Sequence, residues 1–385
     1  MLKVVYSPVN AFKEIVKNPN IKGPLLIFLL FLLASTVFQY VSASKFVLEI
    51  GTPEGDEWTE STLFWTPEGV SIDDEDNFVG NYSIMSFVTN NTRVWMKTAD
   101  IGSFNCSSDE GCGSLSFRIK WVHPSNIFPA NTTLRLFSKN NSYFELDIDG
   151  KIANSSNTWS NVTVDIGPTN LNWRPSVDSS DWGNITGLEF ELVWLARANV
   201  TMKIDHLYFG KHVPLLAMND FTERFVSSLI FIAFGFLLEW GIYALILLLI
   251  IKLAGSEAGP LRVLFIVIGY TFSIKIVESL VNAFLFSALP SLVFPLKAWD
   301  PIAGEEGLAN KLLDNIYQTS WYPTLAYNLY WSLGFAFIAW SVALSAIAIR
   351  FLREFTWKKA AGISIVAYFV LSIFVMPILR NLLAI

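Results

Sequence analysis

The chain is poor in the residues that build catalytic and metal centres: its 385 residues include three histidines and two cysteines, and 16% of them are charged. His123, His206 and His212 lack the spacing of a metal site, and two cysteines are too few for zinc. No nucleophile-elbow, metalloprotease, phosphate-loop or dinucleotide motif occurs in the sequence. We therefore predict a protein that is not an enzyme and that carries no catalytic cofactor.

Charge is also unevenly divided. Residues 45–212 contain 12 basic against 22 acidic residues, whereas the remainder contains 15 against 11. An acidic part without a basic stripe excludes nucleic acid as a partner. The hydrophobic share of 52%, with 31 Phe, 14 Trp and 12 Tyr, excludes both a purely soluble protein and a disordered one. Two different kinds of protein therefore follow one another in this chain.

Five apolar runs are each long enough to cross about 30 Å of hydrocarbon. These runs are 24–41, 225–251, 263–289, 325–349 and 360–379. Lysine and arginine concentrate before the first run, between the second and third, and between the fourth and fifth, so the positive-inside rule makes these segments cytoplasmic. We predict five transmembrane helices, the first at 24–44 and four within 223–385, with an outer loop at 290–323. The insert at 45–222 and the C-terminal Ile385 are then extracytoplasmic.

The first run has an alternative interpretation as a cleaved signal peptide, with Val41 and Ala43 before the cleavage site. Its 18 apolar residues exceed a usual signal core, which favours a retained span. Residues 1–23 predict a short interfacial helix on the cytoplasmic leaflet. Its apolar face would hold Val9, Phe12, Ile15 and Val16. A similar pattern at 305–318 predicts a second interfacial helix on the outer side.

Within residues 46–212 the hydrophobic period changes from helical to two. Leu115, Phe117, Ile119 and Trp121 alternate with polar residues, and similar runs recur between clusters of Gly, Asn, Ser and Pro. This pattern predicts an all-β sandwich. In the same insert Cys106 and Cys112 share one short loop, CSSDEGC. An oxidising compartment favours a local disulfide between them, and two unpaired thiols are the alternative.

The insert is also rich in N-x-S/T sequons. The 16 asparagines of residues 46–212 give nine sequons, where roughly three are expected by chance at ordinary Ser/Thr frequencies, and the nine asparagines elsewhere give none. The sequon asparagines are Asn81, Asn90, Asn105, Asn131, Asn140, Asn154, Asn161, Asn184 and Asn199. This enrichment predicts an N-glycosylated outer surface, and an Asn-rich surface with incidental matches is the alternative.

The end of the insert, WGNITGLEFELVWLARANVTMKIDHLYFG, resembles the closing strands of jelly-roll carbohydrate-binding modules, and NSYFELDID and TWSNVTVDIG fit the same pattern. The resemblance implies a jelly-roll-like sandwich over about residues 65–210 and a structural calcium ion near the chain ends. The candidate calcium ligands are Asp73, Asp74, Glu75, Asp76 and Asp205. A solvated acidic loop is the alternative for the first four. Trp173 and Trp182, among polar residues, are the candidates for stacking on a glycan.

Segments on both sides of the insert carry a second resemblance. They are SPVNAFKEIVKNPNIKGPLLI, LAGSEAGPLRVLFIVIGY, LYWSLGFAFIAW and WKKAAGISIVAYFVLS. Together they resemble the Ypt-interacting-protein (YIP) family of five-span membrane proteins. The residues at that family's glycine-containing loop and following span are Gly255, Ser256, Gly259, Leu261, Gly269 and Tyr270. The large insert and Lys275 depart from the family pattern, so the GTPase-linked traffic role of eukaryotic members is not carried over.

Three ionisable residues lie inside the apolar runs: Glu239, Lys275 and Glu278. Such residues are costly in lipid and by default suggest function. Because Lys275 and Glu278 share a helix face, we predict a buried ion pair of Lys275 with Glu239 or Glu278. Transport or proton relay is the alternative.

Together these patterns predict a non-enzymatic envelope membrane protein with a binding or scaffold role for its outer domain. The expected partners are membrane lipid, a glycan and another membrane protein, and the expected location is an archaeal plasma membrane. Two alternatives stay open. The first is an accessory subunit of a larger complex for glycosylation, translocation or transport, and the second is an intramembrane carrier that uses Glu239, Lys275 and Glu278.

Overall fold

The computed structural model describes residues 3–53, 55–66, 70–108, 111–139, 142–153, 155–255, 260–375 and 377. The chain divides into two compact units. The helical unit consists of Met1–Phe46, Pro214–Leu292 and Asn315–Ile385, and the β unit consists of Val47–Val213 and Val293–Asp314. The loop after the third apolar run is therefore shared, because its residues 293–314 group with the β unit.

The helices are α1 (Lys3–Tyr6), α2 (Pro8–Lys17), α3 (Lys22–Ala43), α4 (Phe221–Leu253), α5 (Leu261–Thr271), α6 (Ser273–Ser287), α7 (Leu296–Trp299), α8 (Glu306–Ile316), α9 (Leu325–Arg353) and α10 (Trp357–Val370). A π-helical segment, Leu371–Val375, continues α10. Within the described residues, five stretches are long and apolar enough to cross a membrane: α3, α4, α5 with α6, α9, and α10 with its π-helical continuation. The prediction of five membrane helices is confirmed.

The N-terminal helices pack onto the helical unit rather than standing apart from it. Phe12 and Ala11 of α2 and Val4 of α1 are buried in the same hydrophobic core as α4, α5 and α9. Val9, predicted on the apolar face, is exposed instead. The Ala11 and Phe12 side of α2 faces its neighbouring helices, and the position of Val9 at a membrane surface stays a prediction.

Two residues of the YIP resemblance have a packing role in this core. A Cβ atom at Gly269 would lie 2.6 Å from the Trp240 ring and from Pro24, so only glycine permits this close approach. The Tyr270 hydroxyl donates a hydrogen bond of 3.1 Å to the Asn20 carbonyl. Gly269 and Tyr270 of the third span therefore contact the second span, the start of the first span and the residues before it.

The strands are β1 (Phe46–Thr52), β2 (Trp65–Thr66), β3 (Val70–Asp73), β4 (Ser83–Phe104), β5 (Cys112–Val122), β6 (Asn131–Phe137), β7 (Tyr143–Asp147), β8 (Ser160–Asp165), β9 (Arg174–Pro175), β10 (Ile185–Pro214) and β11 (Leu292–Phe294). The long strands β4 and β10 pair antiparallel along most of their length. The first part of β10 pairs with β6, and β7 and β9 follow on that side. The later part of β10 pairs with β5, which in turn pairs with β8.

The two groups of strands face each other across one hydrophobic core. The ring centroids of Phe117 on β5 and Phe190 on β10 lie 4.7 Å apart, and those of Trp121 and Trp194 lie 6.1 Å apart. These rings come from opposite layers and are all buried. The alternating sequence pattern places one apolar side chain at every second position toward this core. The predicted all-β sandwich is confirmed.

Residues 293–314 lie against the sandwich through specific polar contacts. The carboxylate of buried Glu49 accepts a hydrogen bond of 2.9 Å from the Leu296 N–H. The buried guanidinium of Arg118 lies 2.5 Å from the Glu305 carboxylate. Because a buried charge is costly without a partner, the loop residue Glu305 balances a charge that belongs to the sandwich.

The second predicted interfacial stretch, 305–318, is largely helical. It corresponds to α8, which is followed by a π-helical segment at Tyr317–Trp321. The first part of this stretch belongs to the β unit. Its position at a membrane surface stays a prediction.

Candidate functional site

A row of charged side chains crosses the face of the β6–β7 layer that points away from the core. Glu189 on β10 stands between Lys97 on β4 and Arg135 on β6. Arg135 in turn stands opposite Glu145 on β7. Arg135 Nε lies 2.8 Å from Glu145, and its Nη1 lies 2.6 Å from Glu189 and 2.7 Å from Glu191. Burial alone would lower the pKa of Arg135, but these three carboxylates raise it above its usual range. The row is therefore a fixed array of charges.

Aromatic rings stand on the same face. The Arg93 guanidinium lies 5.2 Å from the centroid of the Trp95 ring, and the Lys97 ammonium lies 3.6 Å from that of Phe137. The rings of Phe137 and Tyr143 meet at 5.9 Å. These rings are half-buried, so each keeps part of its surface in contact with solvent. A face with both rings and charges can offer stacking as well as hydrogen bonds.

A cleft of about 430 Å³ opens on this face beside β7 and β9. Its lining includes Asn131, Thr133, Glu145, Asp147, Lys151 and Arg174. These side chains provide amide, hydroxyl, carboxylate and cationic groups within one cavity. Such a lining suits a polar ligand that both donates and accepts hydrogen bonds.

The two tryptophans predicted to stack on a glycan lie elsewhere. Trp173 is 5% exposed, and its Nε1 donates a hydrogen bond of 2.9 Å to the Asp165 carbonyl. The half-buried Trp182 stacks on Phe144 with ring centroids 3.9 Å apart. The prediction of an exposed ring is wrong for Trp173, and Trp182 has one face covered. Both indoles pack at one end of the hydrophobic core. The polar residues that surround them in the chain give no indication of this contact.

The acidic run proposed as calcium ligands is engaged by lysines. Lys203 pairs with both Asp73 and Asp76, and Lys120 lies 2.8 Å from Asp76. Burial acts to raise the pKa of both carboxyls, but the lysines lower the pKa of Asp73 and bring that of Asp76 to about 2. No group of three or more His, Cys, Asp or Glu residues within the described ranges could hold a metal ion. The remaining members of the run, Asp74 and Glu75, are exposed.

The fifth calcium candidate, Asp205, forms a buried pair with Asp56. Its carboxylate accepts hydrogen bonds from the backbone N–H groups of Phe78 and Val79 at 2.5 Å and 3.1 Å. Burial, followed by the hydrogen bond to Asp205, raises the pKa of Asp56 to about 9. Asp56 therefore keeps its proton at neutral pH. Nothing in the sequence near Asp56 indicates this contact, and the structure gives the calcium prediction no assembled site among the residues it describes.

Cys106 and Cys112 are buried free thiols in the structure. Their mutual hydrogen bond, with burial, raises the pKa of Cys106, and the same hydrogen bond lowers the pKa of Cys112. The Cys112 N–H also donates to the Asn105 carbonyl at 2.8 Å, which closes the loop. Two neighbouring thiols are what the reduced form of a local bridge would show, so the disulfide stays a prediction.

The sequon asparagines lie mostly at the surface. Asn140 and Asn154 fall outside the described residues, and Asn184 is half-buried. The exposed ones are Asn81, Asn90, Asn105, Asn131, Asn161 and Asn199. Exposure permits a glycan at each of these six positions, and N-glycosylation stays a prediction.

The helical unit contains the second candidate site. Lys275 Nζ on α6 lies 2.6 Å from Glu239 Oε2 on α4, which is one of the two predicted pairings. Glu278, one turn further along α6, makes no ion pair within the described part of the chain. A cavity of about 120 Å³ adjoins all three side chains. Its other polar lining residues are Tyr243, Thr271, Ser341, Ser345 and Tyr368.

Comparison with known proteins gives a result for each unit. Residues 191–379 match the Yip1 domain. The predicted YIP resemblance of the membrane part is thereby confirmed. Ser256 and Gly259 of that resemblance lie outside the described residues, as does Ile385, whose outer location was predicted. No curated protein matches the chain.

The β unit is similar to several solved structures, at low identity. A family 11 carbohydrate-binding module of a cellulosomal cellulase of Clostridium thermocellum is 14% identical, with a TM-score of 0.28, and the match covers 42% of this chain and 93% of the module. A family 16 carbohydrate-binding module is 14% identical, with a TM-score of 0.24, and the match covers 40% of this chain and 93% of the module. An exo-β-agarase is 13% identical, with a TM-score of 0.31, and the match covers 43% of this chain and 25% of the agarase.

Proposed function

We propose that the protein is a non-enzymatic envelope protein. Its five helices anchor it in a membrane, and its β unit binds carbohydrate in the cleft beside β7 and β9. The observation that carries the proposal is the chemistry of that cleft. Carboxylates, an arginine, a lysine, two amides and a hydroxyl group meet in the cleft. Sugar hydroxyls both donate and accept hydrogen bonds, so they match a lining of this kind.

Two carboxylates in the cleft are held in place before any ligand arrives. Glu145 accepts the 2.8 Å hydrogen bond from Arg135 and stands opposite Arg174 in the sheet register. The Asp147 carboxylate accepts a hydrogen bond of 2.9 Å from the Asp149 N–H. Side chains that are already fixed lose little conformational freedom on binding, which favours affinity for a small polar ligand.

The same lining argues against protein docking at this position. The core of a protein interface is depleted of charge and enriched in aromatic and apolar side chains. The cleft instead contains one apolar side chain, Leu146, among polar lining residues. If no sugar binds, the alternative is a role as an accessory subunit that docks through another surface.

Glycan-array binding of the full chain in detergent tests the proposal. Arg174→Ala combined with Asp147→Asn should abolish binding, because both side chains are exposed in the cleft. The matched control, Arg197→Ala combined with Asp74→Asn, changes the same residue types at exposed positions outside the cleft and should bind like the unchanged chain. Equal loss in both variants, or no sugar bound by the unchanged chain, would contradict the proposal.

A glycan attached at Asn131 would compete with free sugar for the cleft. Asn131 lines the cleft and is exposed, so a glycan attached there would occupy its opening. Asn131→Gln should therefore raise sugar binding by the glycosylated protein. The same change should not raise binding by protein made without glycosylation, because glutamine keeps the amide group and no glycan is removed.

The proposal includes an extracytoplasmic β unit and a cytoplasmic N-terminus, in an archaeal plasma membrane. The distribution of lysine and arginine among the loops supports this orientation. Cysteine labelling in intact cells tests it, in a chain that carries Cys106→Ser and Cys112→Ser. Asn161→Cys should react without permeabilisation and Lys358→Cys only after it, and the reverse result would contradict the orientation.

A further inference from the structure

We infer that the cavity among α4, α5, α6, α9 and α10 is a site for one small, singly charged cation, either an alkali-metal ion or a proton. Glu278 would supply the balancing charge. This inference concerns the helical unit and is independent of sugar binding by the β unit.

The first argument is the charge count of the cavity. Two carboxylates, Glu239 and Glu278, face one ammonium group, Lys275. Lys275 Nζ is committed to Glu239 at 2.6 Å, and Glu278 has no ion-pair partner among the described residues. The other titratable groups near Glu278 are the hydroxyls of the tyrosines on α4, α9 and α10, which bring no positive charge. These are Tyr243, Tyr330 and Tyr368. An uncompensated charge at membrane depth is costly, so a further positive charge is needed.

The second argument is an unused hydroxyl. Tyr243 is 3% exposed and lines the cavity. Its hydroxyl lies near the Ser345 hydroxyl but makes no hydrogen bond of ordinary geometry in the described part of the chain. A buried polar group without a partner is uncommon in proteins and calls for an explanation such as a missing ion or water. A cation with its water in this cavity would satisfy the hydroxyl.

The third argument is the orientation of the other hydroxyl groups. Thr271 donates its own proton to the Ile268 carbonyl at 2.7 Å. Ser345 donates its proton to the Ser341 carbonyl at 2.9 Å. Both oxygens therefore keep only lone pairs to offer to a ligand. Oxygen atoms with free lone pairs are the ligands that hard cations prefer.

The backbone gives an independent indication. The third span has one turn residue, Phe272, between α5 and α6, and both Thr271 and Phe272 line the cavity. On the opposite side, α10 changes to a π-helix at Leu371, which also lines the cavity. Short departures of this kind from regular α-helix are frequent at functional sites. The cavity volume of about 120 Å³ accommodates a small cation and water.

Thermal unfolding of the full chain in nanodiscs, followed by tryptophan fluorescence, tests the inference. If the ligand is an alkali-metal ion, NaCl or KCl should raise the Tm relative to choline chloride at equal ionic strength, because binding to the folded state stabilises it. If it is a proton, the Tm in choline should fall as the pH rises. All chains in this test carry Asp56→Asn, which removes the pH dependence expected of the β unit. In this background, either dependence should be lost in Glu278→Gln. It should be retained in Glu223→Gln, an exposed glutamate in the first turn of α4.

Tyr243→Phe provides a second variant that keeps the ring in place. It should weaken the apparent affinity for Na⁺ several-fold without lowering the Tm in choline. Glycan binding should be unchanged in Glu278→Gln, which separates this inference from the function of the β unit. If salt and pH affect the unchanged chain and Glu278→Gln equally, or have no effect on either, the cavity is not a cation site.

Discussion

Arg135 and Lys275 each face more than one carboxylate, in two different solvents. Arg135 faces three acidic side chains on a sheet surface, whereas Lys275 faces two in a cavity of the helical unit. On the sheet, Arg93, Lys97 and Arg174 stand beside the same carboxylates and water reaches the cluster, so the surplus around Arg135 is balanced. Lipid surrounds the membrane helices, so the surplus around Lys275 requires a further counter-charge. Neighbouring side chains therefore supply the balance in one unit, and the other unit lacks it among its described residues.

The largest effect expected from this difference is at Lys275. Lys275→Met leaves Glu239 without its partner at 2.6 Å, and breaking a buried pair costs about 3–5 kcal/mol. The free energy of unfolding in detergent should fall by this amount. The double variant Lys275→Met, Glu239→Gln should recover most of it. A single variant as stable as the unchanged chain would show that the pair is not buried from water.

A smaller loss is expected at Arg135. Arg135→Met removes hydrogen bonds between charged groups that are worth about 1.5–3 kcal/mol, but water and Arg93, which also pairs with Glu191, partly compensate. The control Arg197→Met, at an exposed position, should change stability by less than about 0.5 kcal/mol. A loss at Arg135 equal to that at Lys275 would remove the contrast between the two environments.

Asp56 should give a pH-dependent effect on the β unit. Because its pKa is raised from 3.8 to about 9 in the folded chain, the folded state holds a proton that the unfolded state releases. The contribution of this group to stability is therefore present at low pH and falls as the pH rises from about 4 to 9. Asp56→Asn should raise the Tm at neutral pH and flatten this slope. A Tm that falls in Asp56→Asn at neutral pH would contradict the assignment.

The smallest expected change is in mass. If the β unit lies in an oxidising compartment, Cys106 and Cys112 should be joined, and the intact mass should increase by two hydrogen atoms on reduction. Alkylation of both thiols in unreduced protein, under conditions that expose them, would rule out the bridge. This measurement distinguishes the outer compartment of the β unit from a reducing one.

Periodicity and the cost of charge in lipid were enough to predict much of this molecule. The alternation of Leu115, Phe117 and Ile119 predicts a buried strand face, and all three side chains are fully buried. The pairing of Lys275 was predictable because a low-dielectric environment leaves it few alternatives. These features depend on local pattern or on a strong energetic constraint.

The remaining features depend on contacts between distant parts of the chain. Trp173 lies in a polar loop, yet its ring packs on Trp182 at 5.7 Å in the core. Asp56 and Asp205 form a pair although they lie near opposite ends of the sequence of the β unit. The charged cleft beside β7 and β9 arises from strand register, in which Glu145 meets Arg174. No local sequence pattern encodes which strands become neighbours.

The central claim is that the cleft beside β7 and β9 binds sugar. The most direct test is the Kd of the full chain for the sugar that binds best on an array, compared between the unchanged chain and Arg174→Ala. Loss of a hydrogen bond from a charged donor should weaken binding by about tenfold or more, and Arg197→Ala should leave the Kd unchanged. An unchanged Kd for Arg174→Ala would show that the sugar binds elsewhere and would contradict the claim.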